Sequence, residues 1–138
     1  MLRIAAEFDN YKKRSRKEID LAESNGRALF AKEMLAVLDE FELALVAASR
    51  SSDRELAKGV EMVYANMASA MKRMGLNEVD RNGIADPFKH EVVMAMSSDK
   101  PEGTILEVVK KGYDFNGRLL RPASVIVSNG KEQNNDKK

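Results

Sequence analysis

At 138 residues the chain has the length of one ordinary domain, but a third of it is charged and only 6% is aromatic. So few large side chains make a thin core, which predicts oligomerisation. The 23 Lys and Arg balance 22 Asp and Glu, and there is no cysteine; this excludes a global basic excess for nucleic acid or anionic lipid, together with disulfides, thiolate nucleophiles and Cys-based zinc sites.

From Met1 to Arg50 there is no proline and one glycine, while Ala, Leu, Glu, Lys and Arg dominate. Summed propensity predicts one helix over residues 1–49. Its apolar stripe has an eleven-residue period: Phe8, Ile19, Phe30 and Phe41 form one row, and Ile4, Tyr11 and Val37 fall in the rows beside it. That period corresponds to ~3.67 residues per turn, so paired helices run nearly straight instead of winding as heptads do. The rest of the chain is too small to cover Ile4 through Ile19, so the expected partner is a second copy, meeting this one through Ile4, Phe8, Tyr11, Ile19, Phe30, Val37 and Phe41. Glu7 and Asp9 come too early for a secretory or transit signal, and no apolar run approaches the ~20 residues of a membrane span. The expectation is a cytoplasmic protein with no membrane partner.

A Ser- and Asp-rich loop, Ala48 to Asp53, offers Ser52 or Asp53 as the cap of a second helix within residues 50–76, ending at Gly75. Leu56, Val60, Val63, Met67, Met71 and Met74 recur at helical spacing and read as core. Gly59, costly inside a helix by up to ~1 kcal/mol, implies close approach to another backbone. Two helices per chain, doubled by a dimer, make a short four-helix bundle.

Residues 77–128 change to short β-type runs, with strands expected near Asn77–Val79, Glu91–Met96, Thr104–Lys110 and Leu119–Ser128. Asn116-Gly117 supplies the positive φ pair of a two-residue hairpin turn. The polar tail, 129–138, reads as disordered. The fold class is therefore α+β: a long N-terminal helix pairing in a dimer, a short four-helix bundle at the dimer interface and a small C-terminal β-domain.

Catalytic chemistry is sparse. His90 is the one histidine, and following Asp86-Pro87-Phe88 it reads as a residue that fixes a loop rather than as a general base for a hydrolase. One His without Cys cannot supply a usual zinc set, and neither GxGxxG nor a P-loop occurs, so no cofactor, no metal and no directly bound nucleotide are expected. The basic run Lys12 to Lys17 is the basis of an alternative, a dimeric coiled-coil protein gripping nucleic acid. Glu7, Asp9, Glu18 and Asp20 flank that run, which favours a solvated face with internal ion pairs.

In order along the chain stand AEFDNYKKR (6–14), FAKEMLAVLDEFELAL (30–45), KGVEMV (58–63), MGLNEVD (74–80), DPFKHEVV (86–93), PEGTILEVVKKGY (101–113) and NGRLLRPASVIV (116–127). Together they resemble the GrpE family, the nucleotide exchange factors of DnaK-type chaperones. The resemblance implies a non-enzymatic homodimer that docks on the chaperone's nucleotide-binding domain and opens its cleft so that ADP leaves. It places Lys12 and Lys13 on the chaperone-facing side of the long helix, and Pro87, Val109 and Val127 at docking positions of the β-domain, with Lys111, Tyr113 and Arg118 close by. Gly59 matches a bundle position whose packing orients the β-domain. The likeness departs at Ala36, where many relatives have proline, and at Leu21, where some have a basic residue. Most relatives also carry a longer acidic N-terminal arm and a further helix that this sequence lacks, as a shortened chain would.

Overall fold

The computed structural model describes residues 2–131, and its fold is α+β. Helix α1 (Leu2–Ser49) runs 48 residues without a break, roughly 72 Å at the usual rise. Helix α2 (Arg54–Met74) returns along it. Asp53 caps α2, its carboxylate accepting the Leu56 N–H at 3.1 Å. Gly75 ends the helix at φ 115°, its N–H donating to the carbonyls of Lys72 and Met71. A Cβ there would also push on the end of the Asn116 side chain, which can move aside, so it is the positive φ that favours glycine.

Among the described residues the β-domain holds six strands in two sheets. Strands β1 (Leu76–Glu78), β4 (Tyr113–Phe115) and β5 (Arg118–Arg121) form an inner antiparallel sheet in the order β1-β4-β5. Strands β2 (His90–Met96), β3 (Ile105–Lys110) and β6 (Ala123–Ser128) form an outer sheet in the order β2-β6-β3. In the outer sheet β6 lies parallel to β2 and antiparallel to β3. The Asn116-Gly117 turn has φ 49° and 87°, the paired positive values of a type I′ turn. The strand expected over Leu119–Ser128 is broken instead at Pro122, because a residue without an N–H interrupts the ladder. Its two halves, β5 and β6, belong to different sheets.

The hydrophobic core follows the same division. Leu76, Tyr113 and Phe115 of the inner sheet pack with Ala28, Ala31, Leu35 and Leu38 of α1, and Tyr64, Met67 and Met71 of α2 close over them. Val79, Ile105, Ala123, Val125 and Val127 form a second cluster under the outer sheet. The inner sheet therefore shares its core with the helices, while the outer sheet has a core of its own.

Two expectations change at the helices. The α2 stripe does not face one way: Met67 and Met71 pack inward, while Leu56, Val63 and Met74 stand exposed. Gly59 has no atom within 4 Å of where a Cβ would sit, so no close backbone approach within this chain explains it. At the C-terminal end, Asn129 donates to the Met96 carbonyl at 2.7 Å and the Gly130 carbonyl accepts from Ser98 N–H. These two residues extend the outer sheet, and the expected disorder of 132–138 lies outside the described residues.

Candidate docking surface

The loop before β2 is tied at three points. Asp86 Oδ1 accepts the Phe88 N–H at 2.9 Å, the Asp86 N–H donates to His90 Nδ1 at 2.8 Å, and His90 Nε2 meets the Asp80 carbonyl at 2.6 Å. A ring that accepts at Nδ1 must carry its proton on Nε2 to donate to a carbonyl. Both nitrogens of this buried imidazole are thus engaged by backbone. The loop holds Pro87 and Phe88 outward, Phe88 with 85% of its surface in solvent.

Val109 is exposed near the end of β3. Arg118, at the tip of the hairpin, donates to Asn25 Oδ1 of α1 at 2.6 Å. Tyr113 and Val127 are not at the surface: Tyr113 lies in the helix-facing core and Val127, 7% exposed, under the outer sheet. Inward alternation along β6 sends Ala123, Val125 and Val127 to the same side, so Val127 builds the sheet. Lys12 and Lys13 stand apart from all of these, about 18–20 Å along the helix axis from Asn25. Lys12 Nζ sits 4.7 Å from the Phe8 ring centroid and Lys13 pairs with Asp9 at 3.4 Å, the intrahelical pairing expected of a solvated face.

A polar seam joins α1 to the β-domain, and sequence reasoning missed most of it. Arg121 grips Asp39 with two parallel hydrogen bonds of 2.6 and 2.7 Å, donates from Nε to the Lys111 carbonyl at 2.7 Å, and lies over the Tyr113 ring. Lys111 Nζ meets Glu42 at 2.8 Å and the Tyr64 hydroxyl at 3.3 Å, while Tyr64 donates to Glu42 at 2.9 Å. Asp39 and Glu42 are three residues apart and so share one face of α1. The partners lie 82 and 69 positions downstream (121 − 39 and 111 − 42), a pairing no local pattern reveals.

The charges respond accordingly. Hydrogen bonding to Arg121 holds the Asp39 carboxyl below its ordinary range, and the same bond raises Arg121. Burial pulls the Lys111 ammonium down, but Glu42 and Tyr64 more than offset it and hold the group above the usual lysine range. Burial raises the Tyr113 phenol. Because the folded value of Asp39 lies below the unfolded one, near 3.9, its contribution to stability is complete above about pH 4 and drains away as pH falls through the folded value. Asp39→Asn should cost about 1–3 kcal/mol at pH 7 for this partly exposed pair. Urea titrations should then show a shallower further loss between pH 4 and pH 2 than in the parent; parallel losses would exclude Asp39 as the source.

Among the described residues no cluster of three His, Asp or Glu is placed to hold a metal ion, and no helix is long and apolar enough to cross a membrane. The described residues thus form a 48-residue helix, a second helix packed along it and a two-sheet β-domain whose buried histidine ties a loop. The GrpE family model matches residues 1–129. Proteins named GrpE from a Shewanella species and from Geobacillus kaustophilus are 35% and 36% identical over 94% and 92% of this chain, which spans 65% and 61% of their lengths. The GrpE protein of Fructilactobacillus sanfranciscensis is 37% identical over 92% of the chain and is 73% covered. The chain belongs to the GrpE family.

Proposed function

We propose that the chain is a cytoplasmic, dimeric co-chaperone that docks on the nucleotide-binding domain of a DnaK-type chaperone and speeds ADP release by holding the cleft open. Family membership over residues 1–129 carries this reading. The physical basis is linkage: a protein that binds the open, nucleotide-free form more tightly than the ADP-closed form lowers ADP affinity by the same factor. Such a protein catalyses no bond change.

The dimer is supported by what the single chain leaves uncovered. Ile4, Phe8, Tyr11, Ile19 and Phe30 are all more than half exposed and Val37 is 37% exposed, while only Phe41 of the stripe is partly covered, against Tyr64. Leu56, Val63 and Met74 on the outer side of α2 give a second apolar face, which pairing of two such hairpins into a four-helix bundle would bury. We assign chaperone docking on the β-domain to Pro87 and Val109, with exposed Phe88 beside Pro87, and on the stalk to Lys12 and Lys13. The nucleic-acid alternative has only the run at 12–17, diluted by its acidic neighbours.

Gly59 separates two contributions. In the isolated chain Gly59→Ala meets open space and should raise helix stability by up to ~1 kcal/mol. In a bundle that packs against it, the same change should slow nucleotide exchange and Gly59→Asp should impair it further, with chaperone contact residues untouched. Exchange unchanged in both variants would remove Gly59 from the bundle. The decisive assay for the function is release of a fluorescent ADP analogue from a DnaK-type chaperone with and without this protein; no acceleration would refute the proposal.

A further inference from the structure

The outer sheet, which carries Val109, is reached by the chain at three crossings: after β1, between β3 and β4, and between β5 and β6. The last two crossings are Lys111-Gly112 and Pro122, which directly follows Arg121 at the end of β5. They touch, since a Cβ on Gly112 would overlap the Ala123 backbone, and Val79 at the first crossing donates to the Gly112 carbonyl at 2.8 Å. Lys111 and Arg121 are also the two residues held by Glu42 and Asp39 on α1. Apolar contact between α1 and the inner sheet supplies adhesion without direction. A planar guanidinium bonded to Asp39 through two nitrogens, and to the Lys111 carbonyl through the third, fixes an angle as well as a distance.

Resting on the exchange reading above, we propose that Asp39 and Glu42 form a two-point clamp that sets the orientation of the outer sheet on the long helix. Arg121 and Lys111 are then positioning residues for cleft opening and not chaperone contacts. Lys111, which the family resemblance places near the docking face, points instead into its own molecule, about a quarter of its side chain exposed. An exchange factor works as a lever between the stalk and the docking face, so an unclamped outer sheet still binds but no longer transmits the opening force.

The test uses Asp39→Asn, Arg121→Gln, Glu42→Gln and the exchanged pair Asp39→Arg with Arg121→Asp in the full chain. Each is measured for maximal ADP release at saturating protein and for affinity toward the nucleotide-free nucleotide-binding domain. Misplacement of the docking face predicts about a tenfold fall in maximal rate in the single variants, with affinity held within about threefold and the rate recovered in the exchanged pair. Because the chain has no cysteine, spin labels at Glu40→Cys and Lys100→Cys, diluted with unlabelled chain, report the angle directly: their distance distribution should broaden in the single variants and narrow again in the exchanged pair. Rate and affinity falling together would make these residues contacts, and an unchanged distance distribution would overturn the clamp. If the parent protein itself fails to accelerate release, the exchange reading falls, and the label distances alone decide whether the clamp exists.

Discussion

Gly112→Ala should destabilise the β-domain by about 2–4 kcal/mol, through a forced backbone shift with no room to relax. The added Cβ would overlap the Ala123 backbone nitrogen and press on the Pro122 carbonyl carbon and the Ala123 Cα. None of these is a flexible side-chain end that swings aside. The Gly112 carbonyl meanwhile holds the Val79 N–H, so a shift of this strand link also loosens the first crossing, and buried Val79 packs in the outer core. The expected signature is specific: amide exchange quickens in β2, β3 and β6, whose core is separate, before it quickens in α1. Urea unfolding coincident with the parent's would show that the backbone crossing yields at no cost.

Ile19→Asp combined with Phe30→Asp should abolish the proposed dimer at micromolar concentration. Both side chains lie on the eleven-residue row and are more than half exposed in the single chain. In a two-fold symmetric pair every substitution counts twice, so the double variant removes four apolar contacts. At about 1.5–3 kcal/mol for each buried side chain, the loss reaches about 6–12 kcal/mol before the cost of desolvating carboxylates is added. Sedimentation should show monomers, and far-ultraviolet dichroism should show fraying of the first part of α1, which then has nothing to lie against. A dimer that survives the double change would place the interface elsewhere.

Features set by neighbours a few residues apart were legible in the sequence. Asp53 and Gly75 bound α2 because capping needs only the adjacent turn, and Asn116-Gly117 specifies its own φ signs. The break at Pro122 was also available, since proline inside an apparent strand argues against continuity. It went unread because the β-branched run after it looked like one strand with the run before. Periodicity could not divide the two apolar sides of α2, because it reports that a residue is apolar and not what covers it. The burial of Val127 was hidden for a related reason: a motif gives a residue's place along β6, whereas burial depends on which side of the pleat it takes. Asp39 with Arg121 was hidden most completely. On a helix rich in charge nothing local distinguishes Asp39 from Asp20, and only the fold brings a guanidinium to it.

The middle strand of the outer sheet, β6, is also the last strand among the described residues. Among the described residues β2 and β3 each pair only with β6, so neither has a ladder partner there until β6 arrives. The helices and the Asn116-Gly117 hairpin close on near neighbours, whereas the parallel pairing of β2 with β6 must first bridge a long loop, which makes it slow. During synthesis, then, a chain with its stalk already helical carries two unpaired apolar strands until β6 leaves the ribosome. The outer sheet therefore stays open to aggregation until β6 is made.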